Sequence, residues 1–115
     1  MKNIITHMTR NDLKMIVQKN PGQLVIMFTA SWCGPCAAIK HTVLQWMNTL
    51  PSSVICAVLD VDQNTDITSF QKSMKQMKGV PTLHCFTKNV VSDFGVSGGD
   101  VRTVNAFFDE VEGRC

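Results

Sequence analysis

The stretch LVIMFTASWCGPCAAIKHTVLQWMNTL, residues 24–50, changes its hydrophobic period partway along, and that change decides the fold. Leu24-Val25-Ile26-Met27-Phe28 is a continuous apolar run of strand length, rich in β-branched residues. From Cys36 onward the apolar positions are Cys36, Ile39, Val43, Met47 and Leu50, three or four apart, which places them on one face of a helix. A second continuous run, Val54 to Leu59, follows. Continuous rather than alternating apolar runs read as strands buried on both faces, the pattern of a parallel sheet covered by helices. A helix crossing between two such strands makes a βαβ unit.

Working outward toward the N-terminus, Thr9 and Asp12 have capping-box spacing, although the usual acid there is Glu, and Leu13, Ile16 and Val17 follow at helical intervals. The spacing predicts a helix from about Asn11 to Lys19, stopped by Asn20-Pro21-Gly22, with a short strand in Asn3 to Thr6 ahead of it. Toward the C-terminus, Ile67, Phe70, Met74 and Met77 predict a third helix ending before Gly79, with Lys72, Lys75 and Lys78 on a separate, solvated face. Thr82 to Phe86 and Val90 to Phe94 read as two strands joined by Thr87-Lys88-Asn89, a hairpin without the favoured Asn-Gly turn. After Gly98-Gly99, Asp100 caps a final amphipathic helix carrying Val101, Val104, Phe108 and Val111. The order is β-α-β-α-β-α-β-β-α, an α/β class, without repeats or linkers, so residues 1–115 are expected to form a single domain.

Composition narrows the function classes. With 44% hydrophobic and 17% charged residues the chain is globular rather than disordered. Eleven Lys+Arg against nine Asp+Glu, with no basic block, leave no electrostatic footprint for nucleic acid or a membrane surface. No apolar stretch approaches the roughly 18 residues of a membrane span. MKNIITHMTR has no apolar core of a secretory signal, so a reducing, cytoplasmic setting is expected. The five cysteines are an odd number with one close pair, unlike a disulfide-stapled scaffold. In a reducing compartment such a pair is catalytic or metal-binding rather than structural.

That pair is Cys33 and Cys36, at the start of the helix. Pro35 is tolerated in a first turn because the amide proton it lacks would have had no intrahelical partner. Cysteines three apart there are surface neighbours, with Cβ atoms roughly 5 Å apart, so modest side-chain rotation closes them into a disulfide. Cys33 lies at the helix mouth, where unsatisfied N–H groups and the helix dipole favour a thiolate. Cys36 shares the buried stripe of Ile39 and Val43, a poor attacker of outside disulfides but well placed to resolve a mixed one. Zinc would need four ligands, and neither His7, His41 and His84 nor the other cysteines supply a second ligand pair at metal-binding spacing, so no metal is expected.

Trp32-Cys33-Gly34-Pro35-Cys36 resembles the active-site motif of the thioredoxin family, and Val80-Pro81-Thr82 is similar to that family's cis-proline loop. The resemblance extends over essentially the whole chain. It implies the thioredoxin fold, a central mixed β-sheet flanked by helices, and a protein-disulfide reductase working without a bound cofactor. In the implied cycle Cys33 attacks a protein disulfide, Cys36 displaces the product, and an NADPH-dependent thioredoxin reductase regenerates the dithiol. The resemblance also assigns Trp32, Gly34, Pro35, Val80, Pro81 and Ser97 to the substrate groove. Within it, the Val80 backbone pairs with substrate as an added strand, and Ser97 falls in a loop where the family usually has glycine. Asp62 is the candidate supporting acid, touching the Trp32 indole.

The sequence departs from the family where a buried aspartate and its lysine partner usually stand, here Met27 and Val58. Losing both together is self-consistent, because either charge alone is costly to bury. His41 occupies the place of a helix-kinking proline. The missing charge pair at Met27 and Val58 keeps open a binding or assembly role with minor redox activity, whereas Gly34-Pro35 between the cysteines resembles reducing members more than disulfide isomerases. Cys56 and Cys85, in apolar strands, are expected to be buried small hydrophobes. Cys115 is either a silent terminus or an exposed thiol able to link two otherwise monomeric chains.

Overall fold

A computed structural model describes residues 3–20, 22–74, 76–87, 90–98 and 100–115. Its elements are β1 (Ile4–Ile5), α1 (Arg10–Lys19), β2 (Gln23–Thr29), α2 (Gly34–Thr49), β3 (Ile55–Asp60), α3 (Thr65–Ser73), β4 (Thr82–Thr87), β5 (Val90–Val91), β6 (Val96–Ser97) and α4 (Val101–Gly113). Pro21 of the predicted helix stop, Lys75 of the lysine face, the Lys88-Asn89 turn and Gly99 lie outside the described residues.

The two continuous apolar runs pair in parallel, from Leu24 opposite Ile55 to Thr29 opposite Asp60. β1 adds to the far side of β3, also parallel, and β4 runs antiparallel along β2, giving the order β1-β3-β2-β4-β5 with β6 also on β4. The sheet is therefore mixed. All seven residues of β2 are buried, as an unbroken apolar run at a sheet centre requires.

Alternation along β2 divides the interior into two layers. Val25 and Met27 join Cys36, Ile39, Val43 and Met47 of α2 and Val104, Phe107 and Phe108 of α4. Leu24, Ile26 and Phe28 point the other way, to Leu13 and Val17 of α1 and Ile67 of α3. Trp46 stacks on Phe108 with ring centroids 5.6 Å apart and fastens α2 to α4.

The capping box forms with aspartate in place of glutamate. Asp12 N–H donates to Thr9 Oγ1 at 3.1 Å and Thr9 N–H donates to Asp12 Oδ2 at 3.0 Å. Asp100 caps α4, its Oδ1 accepting from Thr103 N–H at 2.9 Å. Buried Asn64 accepts from Met8 N–H at 2.9 Å and donates to the carbonyls of Thr6 and Asp60, tying the segment after β1 to the end of β3.

Three sequence expectations are corrected. α3 ends at Ser73, so Met74 is 54% exposed and Met77, though buried, lies beyond the helix; the buried face is Ile67, Thr68 and Gln71. A polar contact decides this, because Gln71 Oε1 meets His84 Nδ1 on β4 at 3.1 Å, and a search for apolar spacing passes over glutamine. Val101 is 45% exposed while Phe107, absent from the predicted stripe, is buried.

The third correction concerns the strand expected at Val90 to Phe94, which breaks into two. Phe86 pairs Val91 and Leu83 pairs Val96, so four residues, Ser92 to Gly95, stand opposite the two residues His84 and Cys85. This bulge lets the Phe94 ring pack on Phe107, and Gly95 fits because a Cβ there would lie 3.0 Å from the Leu83 carbonyl oxygen.

Candidate active site

Three strand ends converge where β2 hands over to α2. Phe28 is opposite Thr82 of β4 and Thr29 is opposite Asp60 of β3. The Trp32 to Cys36 segment after β2, the Val80-Pro81 segment before β4 and the loop after β3 thus meet at one end of the sheet.

The turn is built by backbone bonds: Cys33 N–H donates to the Ala30 carbonyl and Ala37 N–H to the Cys33 carbonyl, each at 3.2 Å. Cys33 is the N-cap of α2 with an extended backbone (φ −95°, ψ 108°), and Pro35 lies in the first turn as expected. Cys33 Sγ accepts the Cys36 N–H at 3.2 Å, the place a serine or threonine oxygen takes in an ordinary cap. The nucleophile candidate therefore receives one of the donors that a helix start leaves unsatisfied.

Cys33 and Cys36 form a disulfide with their Cα atoms 5.3 Å apart. Cys33 is 5% exposed and Cys36 1%, an asymmetry in the predicted direction. Gly34 and Pro35 are exposed between them. Trp32 is 69% exposed, and its Nε1–H donates to Asp62 Oδ2 at 2.8 Å. Asp62 N–H in turn donates to Asp60 Oδ1 at 2.8 Å, which ties the acid that anchors the indole to the last residue of β3.

The Val80–Pro81 peptide is cis. The Pro81 carbonyl accepts from Gly98 N–H at 2.8 Å, and Thr82 Oγ1–H donates to the Gly79 carbonyl at 2.6 Å. Ser97 is not in a loop as expected but in β6, opposite Thr82, and Gly98 follows with φ +74°. Glycine is suited to that left-handed position, which turns the chain toward α4.

Met27 and Val58 lie directly opposite each other in the β2–β3 register, in the same core cluster as Cys33 and Cys36. His41 is exposed on an α2 that runs unbroken from Gly34 to Thr49. Cys56 and Cys85 are buried, as expected for cysteines in apolar strands. Burial pushes the Cys85 thiol up to about 11, against the opposing pull of hydrogen bonds from Ser92 and Thr87.

Neither Lys40 nor Asp60 is singled out by the sequence patterns above. Both line a cleft of about 510 Å3 that reaches Cys33 between α2 and β3. Their signal was positional only: Lys40 is four residues after Cys36 on α2 and Asp60 two after Val58 on β3.

Comparison with known proteins gives a consistent result. The family profile described as Thioredoxin matches residues 4–110. Thioredoxin-1 of Caenorhabditis elegans is 33% identical over 81 residues, 70% of this chain and 65% of that protein. The thioredoxin of Geodia cydonium is 30% identical over 88 residues, 75% of this chain and 78% of that one. The match thus spans just under two thirds of the worm protein. Among solved structures, Plasmodium falciparum thioredoxin superposes with a TM-score of 0.74 at 19% identity, covering 92% of this chain and 98% of that one. Thioredoxin O2 of Arabidopsis thaliana also gives 0.74, at 23% identity with 97% of each chain covered. At those identities the superpositions speak for the fold alone.

Proposed function

This chain belongs to the thioredoxin family, and from that premise we propose that it reduces protein disulfides through a reversible Cys33–Cys36 disulfide. One observation carries the reading: an N-cap cysteine whose sulfur accepts a helix-start N–H, closed in a disulfide with a less exposed cysteine one turn along.

The chemistry follows from that asymmetry. The Cys33 thiolate attacks one sulfur of a substrate disulfide; one S–S bond breaks, a mixed disulfide forms, and the leaving thiolate takes a proton from water. Cys36, held at 5.3 Å between Cα atoms, then attacks Cys33 Sγ, closing the intramolecular disulfide and expelling the second substrate thiolate. Two electrons pass from the dithiol to the substrate. No bound cofactor is needed, since the two sulfurs carry both electrons.

Trp32, Gly34 and Pro35 supply the exposed surface around the disulfide, and the Val80 backbone beside cis-Pro81 offers the edge on which an extended substrate segment docks as an added strand. Ser97, paired to Thr82, borders that edge. Asp62 acts as support for the Trp32 indole. The partners in this reading are disulfide-containing proteins and an NADPH-dependent thioredoxin reductase, in a reducing, cytoplasmic setting. The chain works as a monomer, with exposed Cys115 available for a disulfide-linked dimer.

A second reading is favoured by Met27 and Val58, which remove the buried charge pair usual in the family: a binding or assembly subunit whose dithiol matters little. Insulin reduction with dithiothreitol or a reductase, run beside Cys33→Ser, separates the two. Turnover lost in the variant supports the reductase, equal turnover the assembly role. Cys36→Ser then traps substrates as mixed disulfides.

A further inference from the structure

The cleft behind Cys33 has an apolar floor and a charged mouth. Along α2, Cys33, Ala37 and Lys40 form one stripe at the spacing i, i+4, i+7, and all three line the cleft. Helical Cα–Cβ bonds tilt toward the N-terminus, so the Lys40 side chain is directed toward the end of α2 where Cys33 sits. Across the cleft, Val58 and Asp60 are two apart on β3 and so share a face, with Asp60 opposite Thr29 at the strand ends. At the floor stands Val58, and its register partner Met27 lies in the core cluster that holds both cysteines; neither carries a charge.

Lys40 is exposed and Asp60 half-buried, and among the described residues neither belongs to an ion pair. Neither charge is therefore neutralised by a partner at ion-pair distance. The other acid beyond β3, Asp62, is held by the Trp32 indole. Met27 and Leu83, from β2 and β4, and Val104, Phe107 and Phe108, from α4, share the core cluster of the dithiol and carry no charge.

We propose that Lys40 and Asp60 set the ionisation of Cys33, as positioning residues acting through the water of this cleft. The assignment rests on Cys33 being the attacking sulfur, as in the function proposed above. The Lys40 ammonium favours the thiolate left when the Cys33 proton passes to cleft water, and the Asp60 carboxylate opposes it. The charges that act on the nucleophile stand at the solvated mouth of the cleft, since buried Val58 and its register partner Met27 carry none. Their effect should therefore be opposed in sign between the two residues and weakened by salt.

The test is the pH profile of Cys33 alkylation by iodoacetamide in the fully reduced protein, read by peptide mass mapping at Cys33. Lys40→Met should move the profile to higher pH, slowing alkylation below the midpoint about threefold at low salt. Asp60→Asn, which keeps the oxygen that accepts from Asp62 N–H, should move it to lower pH by a similar factor. The double variant should return near wild type, 1 M NaCl should collapse all the profiles together, and Lys72→Met on α3 should change nothing. Shifts of the same sign, shifts that survive 1 M salt, or two profiles matching wild type would overturn the proposal. Because alkylation needs no turnover, opposite shifts in a protein that fails to reduce insulin would uphold the charge assignment and sink the reductase reading.

Discussion

Met27 stands directly opposite Val58 across the parallel β2–β3 ladder, 0% and 9% exposed, in the core cluster that also holds Cys33 and Cys36. Two apolar residues in register leave Cys36, the resolving cysteine of the proposed cycle, without a buried acid at that place. Met27→Asp would bury a carboxylate with no partner, and unfolding in urea at neutral pH should show a loss of about 3–5 kcal/mol. Adding Val58→Lys should recover part of that loss, because the new charges would lie side by side. If Met27→Asp left the pH profile of single-turnover disulfide reduction unchanged, the account of resolution by Cys36 without a buried acid would have to be dropped.

The Trp32–Asp62 hydrogen bond joins two exposed side chains, so it should matter more to the groove than to the fold. Asp62→Ala is expected to change stability by less than about 1 kcal/mol, the usual scale of one solvent-exposed hydrogen bond. Insulin reduction should nevertheless fall, through KM, as the indole loses its anchor beside the disulfide. An unchanged KM would show that packing alone positions Trp32.

His84 gives the fold an acid sensitivity. Burial between Phe28 and Phe86 lowers its pKa from the ordinary 6.5, only partly offset by the Gln76 backbone carbonyl. The unfolded chain therefore takes up this proton near pH 6.5 while the native protein resists it. Stability contributed here is complete above that pH, is lost as pH falls toward the lower native value, and levels off once the native imidazole is also charged. Chemical denaturation of His84→Leu should show a shallower dependence below pH 6.5 than wild type, even though Gln71 loses its partner and overall stability drops. Equal slopes would assign the acid sensitivity to the carboxylates instead.

The thiols should separate by reactivity. In the oxidised protein Cys33 and Cys36 are bonded, Cys56 and Cys85 are buried, and Cys115 is exposed. With Cys85 pushed up to about 11, iodoacetamide at pH 8 should label Cys115 alone on the minute scale. The Cys85 contribution to stability is full below pH 9.0, the ordinary thiol value, and is lost as pH rises toward 11, since the unfolded thiol ionises first. Cys115→Ser should slow any dimer formation under oxidising conditions.

Periodicity alone reads most of this fold because the two central strands are buried on both faces and so are apolar without interruption. The motif from Trp32 to Cys36 was readable for a related reason: a strand-to-helix handover, a first-turn proline and two cysteines three apart are all local features. What escaped it lies in contacts between distant residues. The α3 boundary depends on Gln71 meeting His84, and the break between β5 and β6 depends on Phe94 turning to reach Phe107.

The sequence by itself determined the βαβ core, the dithiol at a helix start and the absence of charge at Met27 and Val58, since each is written in neighbouring residues or in a fixed spacing. Only the tertiary structure decided that Ser97 pairs with Thr82 rather than forming a loop, and that Lys40 and Asp60 share a cleft with Cys33. The reason is physical: register and helix packing bring together side chains from separate elements, and no local pattern encodes which separated residues will face each other.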